Sequence, residues 1–105
     1  MKLWIDDIRT APDGYMWARS VNQAKQIIIK YSNMLDWDMI PTDAVELIDI
    51  DHDAGDYAYD GGDYIKLLDW LEETGRNYPI HIHSMNPVGV QNMRNIIQRN
   101  GWKEV

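Results

Sequence analysis

The chain has 105 residues, a length typical of one domain and sufficient to bury a core without staples. It contains no cysteine, which excludes disulfides, thiolate metal ligands and a cysteine nucleophile, and which suits a reducing cytoplasm. Its formal net charge of −7 argues against unspecific nucleic-acid binding but leaves room for a small phosphorylated ligand beside a local cation. Neither a signal peptide nor a membrane-crossing apolar run is recognisable, so we expect a cytoplasmic protein without membrane attachment.

The first half of the chain predicts two short strands, a connecting loop and a helix. The apolar run 2–5 predicts the first strand, and residues 8–14, which contain proline and glycine, predict a loop. Residues 15–19 predict the second strand. A capping-box pattern at residues 20–23 then begins a helix whose apolar residues recur at helical spacing to about Asn33.

The middle of the chain predicts the central strand between two loops. Residues 36–43 indicate a surface loop. The run 45–50 is apolar enough to be covered on both faces, as in a parallel sheet. Residues 53–62 are rich in Gly, Asp and Tyr and predict a loop over the site. The helix that follows has leucines at helical spacing and is expected to end at Gly75.

The last part of the chain predicts a fourth strand, a third helix and an edge strand. Residues 79–83 predict the strand. Asn86 is expected to cap the helix, with Pro87 in its first turn and Gly101 at its end. Residues 102–105 predict a short fifth strand. Alternating strands and helices favour a doubly wound parallel α/β sheet with right-handed crossovers.

Ionisable residues follow three of the predicted strands at the point where each strand ends. They are Asp6 and Asp7, Asp51, His52 and Asp53, and His83 with the hydroxyl of Ser84. In a sheet of order 2-1-3-4-5, the ligand crevice lies outside the carboxyl ends of the strands, between the first and third. We therefore expect these residues to share one edge of the sheet, with Arg9 in the adjoining loop.

The candidate metal ligands are three neighbouring carboxylates, those of Asp6, Asp7 and Asp51. They predict a divalent cation, because without a cation the three negative charges repel one another. Mg²⁺ is the expected cation, with Mn²⁺ or Zn²⁺ as alternatives. The start of the last helix, at residues 86–89, is expected to direct free N–H groups to the same crevice. A cation facing a helix N-terminus indicates a ligand that carries phosphate.

The pattern resembles the receiver domains of two-component signalling over nearly the whole chain, with the first helix reduced to a loop. Asp6 and Asp7 resemble the metal-binding pair of receivers, and Asp51 resembles their phosphoryl-accepting aspartate. Ser84 resembles their hydroxyl residue after the fourth strand, and the Asp-Gly pair 60–61 resembles the one that opens their next helix. Histidines at positions 52 and 83 are a departure from ordinary receivers.

Three motifs resemble a divergent branch of that superfamily more closely, the proposed cyclic-phosphate-processing receiver family. These motifs are residues 3–9, 51–55 and 83–89. The resemblance implies a receiver/flavodoxin-like fold and a proposed phosphoesterase activity on cyclic phosphates or other phosphodiesters.

Beside the candidate metal ligands, the expected chemistry assigns two further groups of residues. The candidate catalytic residues are His52, His83, Asp51 and Arg9. The histidines would act as base and acid, in an order that we leave open, while Arg9 and the cation stabilise the developing charge. The candidate substrate ligands are Asp53, Ser84, Asn86 and Gly89, with Asp53 also a candidate to orient His52 or to ligate the metal.

Two other functions stay open at this point. The first is a non-catalytic receiver or pseudo-receiver that is phosphorylated on Asp51 or binds a protein partner. Receivers hold the phosphoryl group with a lysine after the fifth strand, whereas Lys103 lies inside the predicted last strand. The second is a transition-metal hydrolase in which His52, His83 and Asp51 ligate Zn²⁺ or Mn²⁺. His81 shares the strand face of His83, and we expect it to be either a packed residue or one that supports the site from behind the ligands.

Overall fold

The computed structural model describes residues 1–32 and 44–105, which form a parallel sheet with helices packed against it. The four strands are β1 (Lys2–Ile5), β2 (Tyr15–Ala18), β3 (Leu47–Ile50) and β4 (Ile80–Ile82). Their order in the sheet is β2-β1-β3-β4, with every neighbouring pair parallel. This order confirms the expected receiver/flavodoxin-like α/β sheet in its first four strands.

Alternating side chains along the strands divide the sheet into two faces. On one face, Leu3, Ile5, Ile48, Ile50 and Ile80 are fully buried. The opposite face carries Trp4 and Asp49, which are register partners on β1 and β3. The first face therefore forms the core, and the second face holds polar and aromatic groups.

Three helices cover the core face: α1 (Val21–Ser32), α2 (Ile65–Glu73) and α3 (Pro87–Asn100). A single 3₁₀ turn, Gly55–Tyr57, precedes α2. The helices contribute nine residues to the same buried cluster as the strands: Val21, Ala24, Ile28, Leu67, Leu68, Leu71, Met93, Ile96 and Ile97. None of the helices in the described residues is both long and apolar enough to span a membrane.

The loop that stands where receivers have their first helix crosses the polar face of the sheet. The indole N–H of Trp4 donates to the carbonyl oxygen of Arg9 at 2.9 Å, and that of Trp17 donates to the carbonyl oxygen of Asp6 at 2.8 Å. These two bonds tie the loop to β1 and β2, and so they fix the residues that follow β1.

The predicted helix boundaries agree with the described part of the chain to within a few residues. Ser20 accepts a hydrogen bond from the backbone N–H of Gln23 at 3.1 Å, as a capping residue should. The hydroxyl of Ser20 donates to Asp60 at 2.6 Å, so Asp60 connects its loop to the start of α1, in agreement with its interpretation as a turn residue. The predicted helix end at Asn33 and the loop 36–43 lie outside the described residues.

The predicted fifth strand is wrong in extent, because residues 102–105 make only one isolated parallel bridge, between Ile80 and Glu104. The N–H of Trp102 donates to the carbonyl oxygen of Ile97 and completes the C-cap of α3 around Gly101. Residue 102 is therefore still part of the C-cap of α3, and few residues after it can pair with β4.

The substitution Gly61→Ala tests whether the loop at residues 55–62 packs against α1. At its φ of 115°, an added Cβ would lie 2.8 Å from the Cβ of Val21. We expect Gly61→Ala to cost about 2–4 kcal/mol through backbone strain together with this clash. Gly14→Ala, with a φ of 84° and open space around it, should cost only about 1–2 kcal/mol. Urea unfolding measures the free energy of unfolding of both variants. Equal losses of stability would contradict the packing of this loop against α1.

Candidate active site at the carboxyl ends of the strands

Three side chains converge where β1, β3 and β4 end. One donor atom each from Asp6, Asp51 and His83 lies within 4.8 Å of the others. Among the residues that the structure describes, this is the one group with the spacing of a metal site. The three residues come from separate strands, as the sequence predicted for ionisable groups at carboxyl ends.

Asp6 is held in a fixed orientation although it is almost completely buried. Its Oδ1 accepts hydrogen bonds from the N–H groups of Ile8 and Arg9, both at 2.8 Å. Burial works to raise the pKa of Asp6, but these hydrogen bonds and the contact with His83 outweigh it and hold the pKa below its ordinary value. The carboxylate is therefore ionised, and its Oδ2 lies 2.9 Å from Nε2 of His83.

The imidazole of His83 lies between two carboxylates. Its Nδ1 is 2.6 Å from Oδ1 of Asp49, on the side opposite Asp6. The indole of Trp4 stacks on the ring with a centroid distance of 4.0 Å and an interplanar angle of 5°. The sequence analysis missed Asp49, although a carboxylate between Ile48 and Ile50 in an apolar strand was a visible signal for a buried polar partner.

Asp7 stands apart from the three-residue group. It lines a neighbouring cavity of about 450 Å³ together with Arg19, Gly55 and Tyr57. Burial raises the pKa of Asp7, and the negative charges of Asp6, Asp51 and Asp56 raise it further. Of the three expected metal ligands, the structure thus brings Asp6 and Asp51 together and places Asp7 to one side.

His52 follows Asp51 in the chain, and its ring packs against the first turn of α3. Its Nδ1 is 2.8 Å from Oδ1 of Asp53 and 3.5 Å from Nδ2 of Asn86. The ring rests on Gly89, where an added Cβ would come within 2.4 Å of Cγ of His52. Gly89, expected as a substrate ligand, therefore makes room for a histidine.

A cavity of about 510 Å³ opens beside these residues. Its lining consists of Arg9, Asp51, Asp53, Ser84, Met85, Asn86 and Pro87. Arg9 reaches it with its guanidinium group, whose Nη1 donates to the carbonyl oxygen of His83 at 3.2 Å. Asn86 is the N-cap of α3 and accepts from the N–H of Gly89 at 3.0 Å, while Ser84 accepts from the N–H of Asn86 at 3.1 Å. The expected substrate ligands thus also build the helix start.

His81 lies outside this constellation, but the expectation that it is packed is wrong. It is exposed on the polar face of the sheet, and its Nδ1 is 2.7 Å from the carbonyl oxygen of Val105.

A parallel α/β sheet that gathers carboxylates at the ends of β1 and β3 defines a receiver-like domain. The family model described as the cyclic-phosphate processing receiver domain matches residues 1–99, and the chain belongs to this family. This match confirms the resemblance seen in the three sequence motifs. No curated protein and no solved structure matches the chain.

Gly89 provides a test of the position of His52. Alanine in the interior of a helix is generally favoured over glycine by about 1 kcal/mol. At position 89 we expect that gain to be lost and the ring of His52 to move, because the new Cβ would overlap it. The ¹H–¹³C resonances of His52 should shift in Gly89→Ala and stay in place in Val88→Ala, an exposed position on the same helix. Unchanged resonances with a stabilised helix would contradict this packing.

Asp6 and Asp7 should show opposite pH dependences in the metal-free protein. The lowered pKa of Asp6 means that its stabilisation is complete above pH 3.8, its ordinary value, and is lost as the pH falls through the folded-state pKa. The raised pKa of Asp7 means that its ionisation destabilises the fold once the pH rises past 3.8. At neutral pH, Asp7→Asn should therefore raise the melting temperature and Asp6→Asn should lower it. Both differences in melting temperature should become smaller in acid. If the two variants changed the melting temperature of chelator-treated protein equally, the opposite pKa shifts assigned to Asp6 and Asp7 would be contradicted.

Proposed function

We propose that the chain is a metal-assisted phosphoesterase that hydrolyses cyclic phosphodiesters in the cavity beside Asp51. The observation that carries the proposal is the convergence of Asp6, Asp51 and His83 next to a cavity that also contains Arg9. The family is linked by its description to the processing of cyclic phosphates. A volume of about 510 Å³ is also ordinary for a small-molecule site.

The three converging donors fit a single divalent cation. Two carboxylates and an imidazole are ligands for Mn²⁺ and Zn²⁺, whereas Mg²⁺ favours sites made of oxygen alone. The mixed donor set therefore supports Mn²⁺ or Zn²⁺ ahead of the Mg²⁺ expected from the sequence. When bound, such a cation polarises a phosphoryl oxygen and makes a water molecule more acidic.

We assign the proton transfer to His52 and the cation-facing role to His83. Both ring nitrogens of His83 face carboxylates, at 2.6 and 2.9 Å, and Nε2 faces Asp6, the carboxylate with which it would share the cation. Nδ1 of His52 faces Asp53, which leaves Nε2 as the atom that exchanges a proton with the reactants. In the reaction, a water oxygen bonds to phosphorus and gives its proton to Nε2 of His52. The ring P–O bond breaks, and the leaving alkoxide takes that proton from His52, which returns to its starting state.

The phosphate itself would be bound by positive groups on the far side of the cavity. Arg9 offers a guanidinium group, and the N-terminus of α3 adds its partial positive charge beside Asn86. Asp51 lines the cavity together with Arg9 and also belongs to the group with Asp6 and His83, so the candidate cation ligands and the positive groups share one site. This placement gives the developing negative charge two sources of stabilisation.

Phosphorylation of Asp51 as in signalling receivers has less support. The carbonyl oxygen of Lys103 accepts a hydrogen bond from the N–H of Ile80, at the first residue of β4. His83 follows the last residue of β4, so Lys103 lies beside the opposite end of the strand from the site. The position of this lysine therefore favours hydrolysis over stable phosphoacceptance.

His52→Ala tests the proposed reaction on a panel of 2′,3′- and 3′,5′-cyclic nucleotides supplied with Mn²⁺, Zn²⁺ or Mg²⁺. General acid–base catalysis typically contributes about 10²–10⁴-fold, so we expect kcat to fall by that factor. His81→Ala removes a histidine outside the site and should leave the rate unchanged.

Two results would overturn the proposal: wild-type protein without activity on every member of the panel, or full activity in His52→Ala. Labelling by acetyl phosphate that disappears in Asp51→Asn would instead support the receiver alternative.

A further inference from the structure

Asp49 is a buried carboxylate in the middle of β3. It is 6 % exposed, and the residues on either side of it, Ile48 and Ile50, are fully buried. A carboxylate in such a place is costly unless it is paired and hydrogen-bonded. Its Oδ1 lies 2.6 Å from Nδ1 of His83, a distance typical of a strong charge-assisted hydrogen bond.

The ring of His83 is constrained in three ways. Asp49 fixes its Nδ1 side, the indole of Trp4 fixes its plane, and the backbone N–H of His83 donates to the carbonyl oxygen of Ile50 at 3.0 Å. Because the ring cannot turn over without breaking the bond to Asp49, Nε2 has one direction to point. That direction leads to Asp6, 2.9 Å away.

We propose that Asp49 is a positioning residue that commits Nδ1–H of His83 to itself and so presents Nε2 to Asp6 and Asp51. The inference rests on the cation of the proposed function, because Nε2 is the ring nitrogen that faces Asp6 and so would be the donor to that cation. Histidines that ligate metals commonly donate their other N–H to a carboxylate, which fixes the tautomer and makes the ligand more basic. Asp49 occupies that outer position on the sheet face opposite the core.

The test compares Asp49→Leu, which removes the acceptor at similar size, with Asp49→Asn, which keeps one acceptor oxygen. Chelator-treated protein is titrated calorimetrically with Mn²⁺ and with Zn²⁺. Loss of an outer-sphere carboxylate typically weakens metal binding about 10–100-fold, and we expect this for Asp49→Leu with partial recovery in Asp49→Asn. Ser20→Ala is the control, since it removes another fully buried polar group and should leave cation affinity unchanged.

A double-mutant cycle separates positioning from a general loss of stability. In a His83→Ala background, Asp49→Leu should weaken cation binding no further, because the ring through which it acts is gone. An equal loss of affinity with and without His83 would overturn the inference, since Asp49 would then be acting through the fold.

The ring nitrogens give a readout that needs no cation. In ¹H–¹⁵N spectra of the metal-free protein, His83 should show a hydrogen-bonded Nδ1–H that disappears in Asp49→Leu. A wild-type ring without that proton would overturn the inference whatever the affinities are. Wild-type protein that binds no cation but shows the Nδ1–H would refute the proposed function and leave the positioning of His83 by Asp49 intact.

Discussion

The bridge formed by His83 between two buried carboxylates is the interaction on which the site depends. Asp6 and Asp49 are 1 % and 6 % exposed; Asp6 follows β1, and Asp49 lies in the neighbouring strand β3. Each would be an expensive charge in the sheet without a partner, and one imidazole provides a partner for both. The same ring therefore contributes to the stability of the sheet edge and to the candidate chemistry, so changes at His83 affect both.

The charges of the site are arranged asymmetrically around the cavity. Asp6 and Asp51 lie on the side of β1 and β3, whereas Arg9 and the start of α3 supply positive charge near Asn86. This local separation explains how a chain with a net charge of −7 could attract a phosphate at one place and repel polyanions elsewhere.

The sequence predicted which edge of the sheet carries the site, because each of Asp6, Asp51 and His83 follows an apolar strand. It could not predict which carboxylates would meet. Asp6 and Asp51 follow their strands, and the direction of their side chains depends on the loops. The N–H groups of Ile8 and Arg9 hold the carboxylate of Asp6 in place, whereas Asp7 lines the neighbouring cavity. The contact of Asp49 with His83 depends on the pairing of β3 with β4. The contact of Gly89 with His52 depends on how α3 packs. Both are long-range features that a local sequence pattern does not show.

The fold could be predicted from the sequence more fully than the site, because helical spacing and cap residues are local features. Asn86, Pro87 and Gly101 delimit α3 as their chemistry requires. The fifth strand was overestimated because a strand-like sequence does not reveal that the cap of α3 already uses the N–H of Trp102.

The indole of Trp4 has a further consequence. Its plane stacks on the imidazole of His83, and its N–H donates to the backbone carbonyl oxygen of Arg9, so one side chain contacts two residues of the candidate site. A smaller residue at position 4 would remove the aromatic support of the histidine and the anchor of the loop in a single change.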